Sequence, residues 1–223
     1  MNHPLNRLVE CVVLGAGGHS LSVIDAILGG DRLRPVAIVD QREETWGTFV
    51  LGVPVIGNDE QLVRLRQRGV TSFVNGIGSS RSTALRKRLF LGAQSSGFSS
   101  ESVIHPSSIV STSAHCVEGA QLMARSVVGP NARLAENVLV NTGAIVEHDC
   151  RIGAHTHLAS GVVLAGGVTV GQDVHVGAGA IVIQGICIGE RAVIAAGAVV
   201  VHDVAADEVV MGVPAKKSRS VAA

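Results

Sequence analysis

From Ile104 to Val200 every sixth residue is apolar: Ile104, Val110, Cys116, Leu122, Val128, Leu134, Val140, Val146, Ile152, Leu158, Leu164, Val170, Val176, Val182, Ile188, Ile194 and Val200. The residue that follows is often small (Gly129, Ala135, Gly153, Ala165, Gly171, Gly177, Gly189), and the fourth after each is again small or apolar (Ala120, Ala132, Ala144, Val162, Ala180). A short fixed period means stacked units, each burying its face against the next. A period of six is that of a parallel β-helix. Three hexads then make one triangular coil, with the frame residues pointing into a prism. The repeat predicts five to six coils and, at the spacing of paired strands, a prism about 27 Å long. Because the frame never slips, no large loop is expected to leave the prism before the chain departs at Asp203.

Composition fits such a prism. The chain is 47% hydrophobic but only 2% aromatic, so Val, Ile, Leu and Ala must fill its core. Lys plus Arg equals Asp plus Glu at 18 each, which leaves no broad basic field of the kind nucleic-acid binders use. The four cysteines (Cys11, Cys116, Cys150, Cys187) show no zinc spacing. Cys116 and Cys150 fall on inward positions and read as buried, reduced thiols of a cytoplasmic protein. Met1 to Glu10 is polar and lacks the apolar run of a secretory leader. No apolar run is long enough to span a membrane.

Residues 1–101 carry a different pattern. Leu8 to Leu14 reads as a buried strand running into Gly15-Ala16-Gly17-Gly18-His19-Ser20, and Leu21 to Leu28 has helical spacing. Val36 to Asp40 is a second strand ending in an acid. This is a strand–Gly-loop–helix–strand unit of nucleotide-binding type, although Ser20 stands where the third glycine of the dinucleotide fingerprint belongs. Free amides at the helix start can still approach a phosphate, and Asp40 is placed to accept from a ribose hydroxyl. A helix over Glu60 to Gly69 exposes Arg64, Arg66 and Arg68. A strand follows over Thr71 to Asn75 and ends at Gly76-Ile77-Gly78-Ser79. The helix over Ser82 to Gln94, with Arg86, Lys87 and Arg88, reads as a solvated basic face. The unit is too short for a complete dinucleotide fold and points to a mononucleotide or nucleotide-sugar ligand. Residues 102–204 form the β-helix, and 205–223 a tail with a polar, disordered end.

Within the repeat, functional groups gather at Asn141, at Glu147-His148-Asp149-Cys150, and at His155 and His157. A histidine beside a carboxylate is the general-base arrangement, since the carboxylate fixes the tautomer and steadies the imidazolium that forms. Asp149 is the first candidate for that partner and Glu147 the second. A His155/His157 metal pair is the competing reading, but the spacing that would complete a zinc set is missing, so no metal is expected.

On these residues the chain resembles the sugar acetyltransferases that join a small nucleotide-sugar-binding α/β domain to a left-handed parallel β-helix. They include the bacillosamine-pathway and perosamine N-acetyltransferases. The resemblance is carried by Gly15 to Ser20, Asp40, Asn141-Thr142, Glu147 to Cys150, His157, and Gly212-Val213-Pro214-Ala215-Lys216. It covers nearly the whole chain. It implies a homotrimer with sites between adjacent prisms and acetyl-CoA along the groove. It implies His148 as the base and Asp149 as its partner. For acetyl-CoA it implies contacts at His157, Gly166, Ala178, Gly212, Pro214 and Lys216. For the nucleotide sugar it implies contacts at Gly17, Gly18, His19, Asp40, Gly78 and Asn141. The reaction expected is transfer of acetyl to the 4-amino group of a UDP- or GDP-linked 4-amino-4,6-dideoxy sugar, for bacterial glycan or O-antigen synthesis, with a backbone amide between Gly161 and Gly177 stabilising the oxyanion. O-acetylation of a sialic-acid-type sugar, or a non-catalytic nucleotide-sugar-binding trimer, are the alternatives.

Overall fold

A computed structural model of the chain describes residues 8–218. The polar end expected to be disordered and most of the stretch Met1 to Glu10 lie outside the described residues. The N-terminal part is a four-stranded parallel sheet in the order Leu33–Val39, Val9–Leu14, Ser72–Asn75, Ser99–Ser100. Helix α1 spans Gly18–Leu28, α2 Gln61–Gln67 and α3 Ala84–Ser95. Helix α1 begins earlier than its apolar spacing suggests, because its first turn is Gly18-His19-Ser20 and carries no core residue of the Leu, Ile or Val type. One side of the sheet packs on α2 and α3 through Leu62, Leu65, Phe73, Phe90 and Phe98. The other packs on α1 through Val23, Ala26 and Ile27.

From Val103 onward the chain is a parallel β-solenoid. Each hexad forms a two-residue strand, and strands three hexads apart pair in parallel, as Gln121↔Leu139↔His157↔His175. The prism has three faces. The first holds Val103–Ile104, Gln121–Leu122, Leu139–Val140, His157–Leu158, His175–Val176 and Val193–Ile194. The second runs from Ile109–Val110 through Ile145–Val146 to Val199–Val200, and the third from His115–Cys116 to Cys187–Ile188. The second residue of each strand points inward, and from Leu122 to Val200 every frame residue is buried in one continuous core. No strand of the frame is missing, so no loop is extruded.

Corners close by a backbone device that the apolar frame does not show. From Cys116 to Ile194 the third residue after each frame position has a positive φ, and it is Arg125, Asn131, Asn137, Asp149, His155, Asp173 or Arg191 as well as glycine. Asn and Asp tolerate this left-handed region better than other residues with a side chain. Where the residue just after the frame position is glycine, coils touch. A Cβ built on Gly153 would lie 2.5 Å from the Gln172 amide nitrogen.

Three sequence expectations are corrected. Cys116 is exposed, because it lies in the first coil, where no earlier coil covers the prism end. Helix α3 is not a solvated basic face: Arg86 is fully buried and Lys87 pairs with Asp173 at 2.7 Å, since the helix packs across the first face of the prism. The chain beyond Asp203 does not leave the fold at once. Val209–Met211 adds in parallel to the first face, and Lys216–Lys217 pairs antiparallel to it.

Candidate active site

His148 stands at the corner between the second-face strand Ile145–Val146 and the third-face strand Arg151–Ile152. The corner is held from both sides. Asp149 N–H donates to the Pro130 carbonyl and Gly167 N–H to the His148 carbonyl, each at 2.9 Å. Nδ1 of His148 lies 2.8 Å from Oδ2 of Asp149. A carboxylate only accepts, so Nδ1 carries the proton and Nε2 the lone pair. Asn131, one coil earlier at the same corner, donates to Oδ1 of Asp149 at 3.3 Å. The bonds from His148 and then from Asn131 hold the Asp149 carboxyl below the ordinary carboxylate value. Glu147 is exposed and makes no bond to His148. Below the ring lies Gly166 of the next coil, where a Cβ would come within 2.5 Å of both Cε1 and Nε2. Gly166 is therefore the floor on which the imidazole rests.

Asn141, His157 and His155 lie elsewhere on the coil. His157 points out of the first face toward the N-terminal part and is buried. Its Nδ1 lies 2.6 Å from Ser79 Oγ, and Ser79 Oγ lies 2.9 Å from Nδ1 of His175. Asn141 Nδ2 reaches His157 Nε2 at 3.4 Å. Burial, followed by the neighbouring His175 and Arg86, pushes the His157 imidazole down to about 2. His155 sits at a left-handed corner, bonded to Asn137 at 3.0 Å and edge-on to Phe90. The two histidines that could have paired on a metal thus take separate partners. Among the described residues no group of three or more His, Cys, Asp or Glu could hold a metal ion.

The N-terminal loops frame a cavity of about 480 Å³ that includes Gly17, Gly18, His19, Asp40 and Gly78, with Arg42 and Arg88 as its cations. His19 leaves the helix start toward the prism and meets Gln121 at 3.0 Å. Burial, then the Arg86 charge, pushes it down to about 4. Asp40 accepts from the Ala16 amide at 2.6 Å and from Arg42 Nε and Nη2 at 3.0 and 2.9 Å. Burial raises its carboxyl, but these bonds outweigh that and hold it below the ordinary value. Asp40 thus ties the Gly loop to Arg42, which leaves it few free lone pairs for a ribose. At the far end of the prism, Ala215 N–H donates to the Val199 carbonyl, which docks the Gly212 to Lys216 segment on the last coil. Ala178 lies at the corner after Val176, the next along the first face from His157.

The seam between the two parts was not foreseen. Arg86 donates to the carbonyls of Ile77 (2.7 Å) and Asn137 (3.3 Å) and to Gln121 Oε1 (3.2 Å). Burial pushes its guanidinium down to about 9. A sequence signal did exist: Gln121, Leu139, His157 and His175 are successive in register, so the polar ones had to share one outward column.

The PglD N-terminal domain model matches residues 10–90. The six-repeat bacterial transferase hexapeptide model matches 131–166, and the hexapeptide repeat of succinyl-transferase 167–201. The solved GDP-perosamine N-acetyltransferase of Caulobacter crescentus, a histidine-to-alanine variant in complex with CoA and GDP-perosamine, is 39% identical over 95% of this chain and 97% of that one, with a TM-score of 0.88. The chain belongs to the nucleotide-sugar N-acetyltransferase family with a left-handed β-helix. The acetyltransferase domain of PglB from Neisseria gonorrhoeae FA1090, in complex with acetyl coenzyme A, is 33% identical over 95% of this acyltransferase and 100% of that chain, with a TM-score of 0.83. No curated protein sequence matches it. No helix among the described residues of this acyltransferase is long and apolar enough to cross a membrane.

Proposed function

We propose that this acyltransferase moves acetyl from acetyl-CoA to the 4-amino group of a nucleotide-linked 4-amino-4,6-dideoxy sugar, with GDP as the first nucleotide to test. The observation that carries the reading is the His148–Asp149 pair, with its basic Nε2 facing out of a rigid corner over Gly166. The free amine attacks the thioester carbonyl, and Nε2 of His148 takes a proton from the nitrogen as the C–N bond forms. The C–S bond then breaks, and the imidazolium returns that proton to the departing CoA sulfur. Asp149 keeps Nδ1–H in place and stabilises the imidazolium. The Gly166 amide has no backbone acceptor among the described residues and suits the oxyanion. The sugar ammonium must lose its extra proton before attack, so the rate rises toward alkaline pH. The GDP preference rests on the 39% identical relative bound to GDP-perosamine.

A homotrimer with shared sites belongs to the same reading. The outward residues of the second face are Ile109, Val127, Ile145, Val163, Ile181 and Val199, an unbroken apolar column. The third face shows His115, Arg133, Arg151 and Thr169 instead. A stacked β-branched stripe on a rigid prism is an interface surface. His148 lies at the edge of that stripe, so a second prism packed there would close over it. The nucleotide cavity lies across the first face from His148, and a neighbouring subunit is what would bring the two together. The acyltransferase is then a cytoplasmic enzyme of glycan synthesis.

The test is release of CoA thiol from acetyl-CoA against GDP-, UDP- and dTDP-linked 4-amino-4,6-dideoxy sugars and a free sialic acid. Turnover with the GDP-linked amine is expected. Turnover with sialic acid alone would establish the O-acetylation reading, and turnover with neither would overturn both.

A further inference from the structure

Ser79 has no role in the reaction as derived so far, yet it bonds two buried histidines of the prism. It directly follows Gly76-Ile77-Gly78, which lines the nucleotide cavity. The direction of the Asn141–His157–Ser79 bonds can be deduced from one backbone amide. Thr142 N–H, which can only donate, reaches Asn141 Oδ1 at 2.8 Å. That fixes the Asn141 amide, so its Nδ2 is the atom facing His157. Nδ2 only donates, so His157 Nε2 is bare and its proton is on Nδ1. Nδ1–H then donates to Ser79 Oγ at 2.6 Å, and the Ser79 hydroxyl proton goes to Nδ1 of His175 at 2.9 Å, the only other partner its Oγ has among the described residues. Burial keeps both imidazoles neutral, so the chain needs no titration to hold.

We propose that Ser79 is a positioning residue: it locks His157 in the Nδ1–H tautomer and, through Nε2, fixes the Asn141 carboxamide on the first face of the prism. Without the hydroxyl, Nδ1–H loses its acceptor, and the ring is free to carry its proton on Nε2. Two donors, Nε2–H and Asn141 Nδ2–H, would then face each other. Asn141 could not rotate to relieve this without breaking its bond to Thr142. The lock also ties Asn141 to the chain that follows Gly76-Ile77-Gly78, the loop that lines the nucleotide cavity.

The tautomer half of the inference stands on the bonding alone; the kinetic half rests on the acetyl-transfer reading. The experiment keeps them separate. Nitrogen-15 spectra of histidine-labelled full-length protein, with His157 assigned from a His157→Gln sample, are expected to show a protonated Nδ1 and a bare Nε2. Ser79→Ala should move that pattern toward protonated Nε2, and Ser79→Thr, which keeps the hydroxyl, should restore it. A protonated Nε2 in the unaltered protein, or no change in Ser79→Ala, would overturn the proposal whatever the enzyme does. In the thiol-release assay Ser79→Ala should raise KM for the nucleotide sugar about tenfold, the worth of one hydrogen bond, with KM for acetyl-CoA unchanged and Ser79→Thr near normal. Equal effects on both substrates, or no rescue by threonine at unchanged thermal stability, would reduce Ser79 to a packing residue.

Discussion

Asp149 serves His148 from a backbone conformation that the fold repeats at that corner from Asn131 to Gly185. Its φ is 59°, the same left-handed corner that Asn131 occupies one coil earlier and Gly167 one coil later. The carboxylate is thus held by the solenoid's own geometry, 2.8 Å from the imidazole it orients. Replacing His148 with Ala should lower kcat by about 10²–10⁴, the usual worth of a general base, with little change in nucleotide-sugar binding. Asp149→Asn keeps the corner conformation but can present its amide to Nδ1, which favours the wrong tautomer. It should lower kcat with KM nearly unchanged, and Glu147→Gln should leave both kcat and KM unchanged. Steady-state kinetics of the three variants decide the matter. An unaltered kcat in His148→Ala would remove it from the mechanism.

Gly166→Ala tests the floor of the site. Gly166 is not among the positive-φ positions, so alanine costs the backbone nothing, but its Cβ would fall 2.5 Å from Nε2 of His148. The exposed ring must move, and a displacement of about 1 Å can cost 10²-fold in rate. The expected result is a large fall in kcat at an unchanged melting temperature. Normal kinetics would show that Nε2 works from another rotamer.

The prism could be read from sequence because its core repeats. Seventeen frame residues are a redundant signal, and the faces, the register and the absence of loops follow from it. The His148 cluster was legible for the same reason, since outward polar groups stand out between Val146 and Ile152. Arg86 was misread because a helix shows its charge but not what covers it. Its burial depends on how α3 lies across the first face, a contact between segments far apart in the chain. Ser79 was passed over because one hydroxyl after a Gly loop has no local signature, and its partners lie 78 and 96 residues away. Cys116 was misassigned because the repeat states which way a residue points but not that the first coil has no coil beneath it.

The apolar column on the second face yields a prediction about assembly. Val163 projects outward between Ile145 and Ile181 and is partly exposed in the single chain. A carboxylate there would have to be desolvated in a packed interface, a cost that apolar neighbours do not offset. Val163→Glu should sediment as a monomer with an unchanged circular dichroism spectrum and should lose acetyl transfer, because His148 would lack its neighbouring prism. A Val163→Glu trimer would place the interface elsewhere. An active monomer would show that one chain contains the whole site.

Acid should weaken the seam between the two parts before it affects the prism. His19 and His157 are depressed from the ordinary 6.5 to about 4 and about 2, in both cases by burial first. In the unfolded chain both return to the ordinary value, so between the folded and unfolded values the unfolded state binds more protons. Stability therefore rises with pH across that window. Their contribution is complete above about pH 6.5 and is lost as pH falls below it, at about 1.4 kcal/mol per pH unit for each extra proton bound on unfolding. For His19 the loss ends near pH 4, and for His157 it continues to lower pH. Thermal melts from pH 8 to pH 4 should show a melting temperature that falls below pH 6.5. In His19→Gln, whose carboxamide can still meet Gln121, the slope should be smaller by about one proton. An identical slope in the two proteins would mean that His19 is already protonated in the folded chain, and its bond to Gln121 would then be that of an imidazolium.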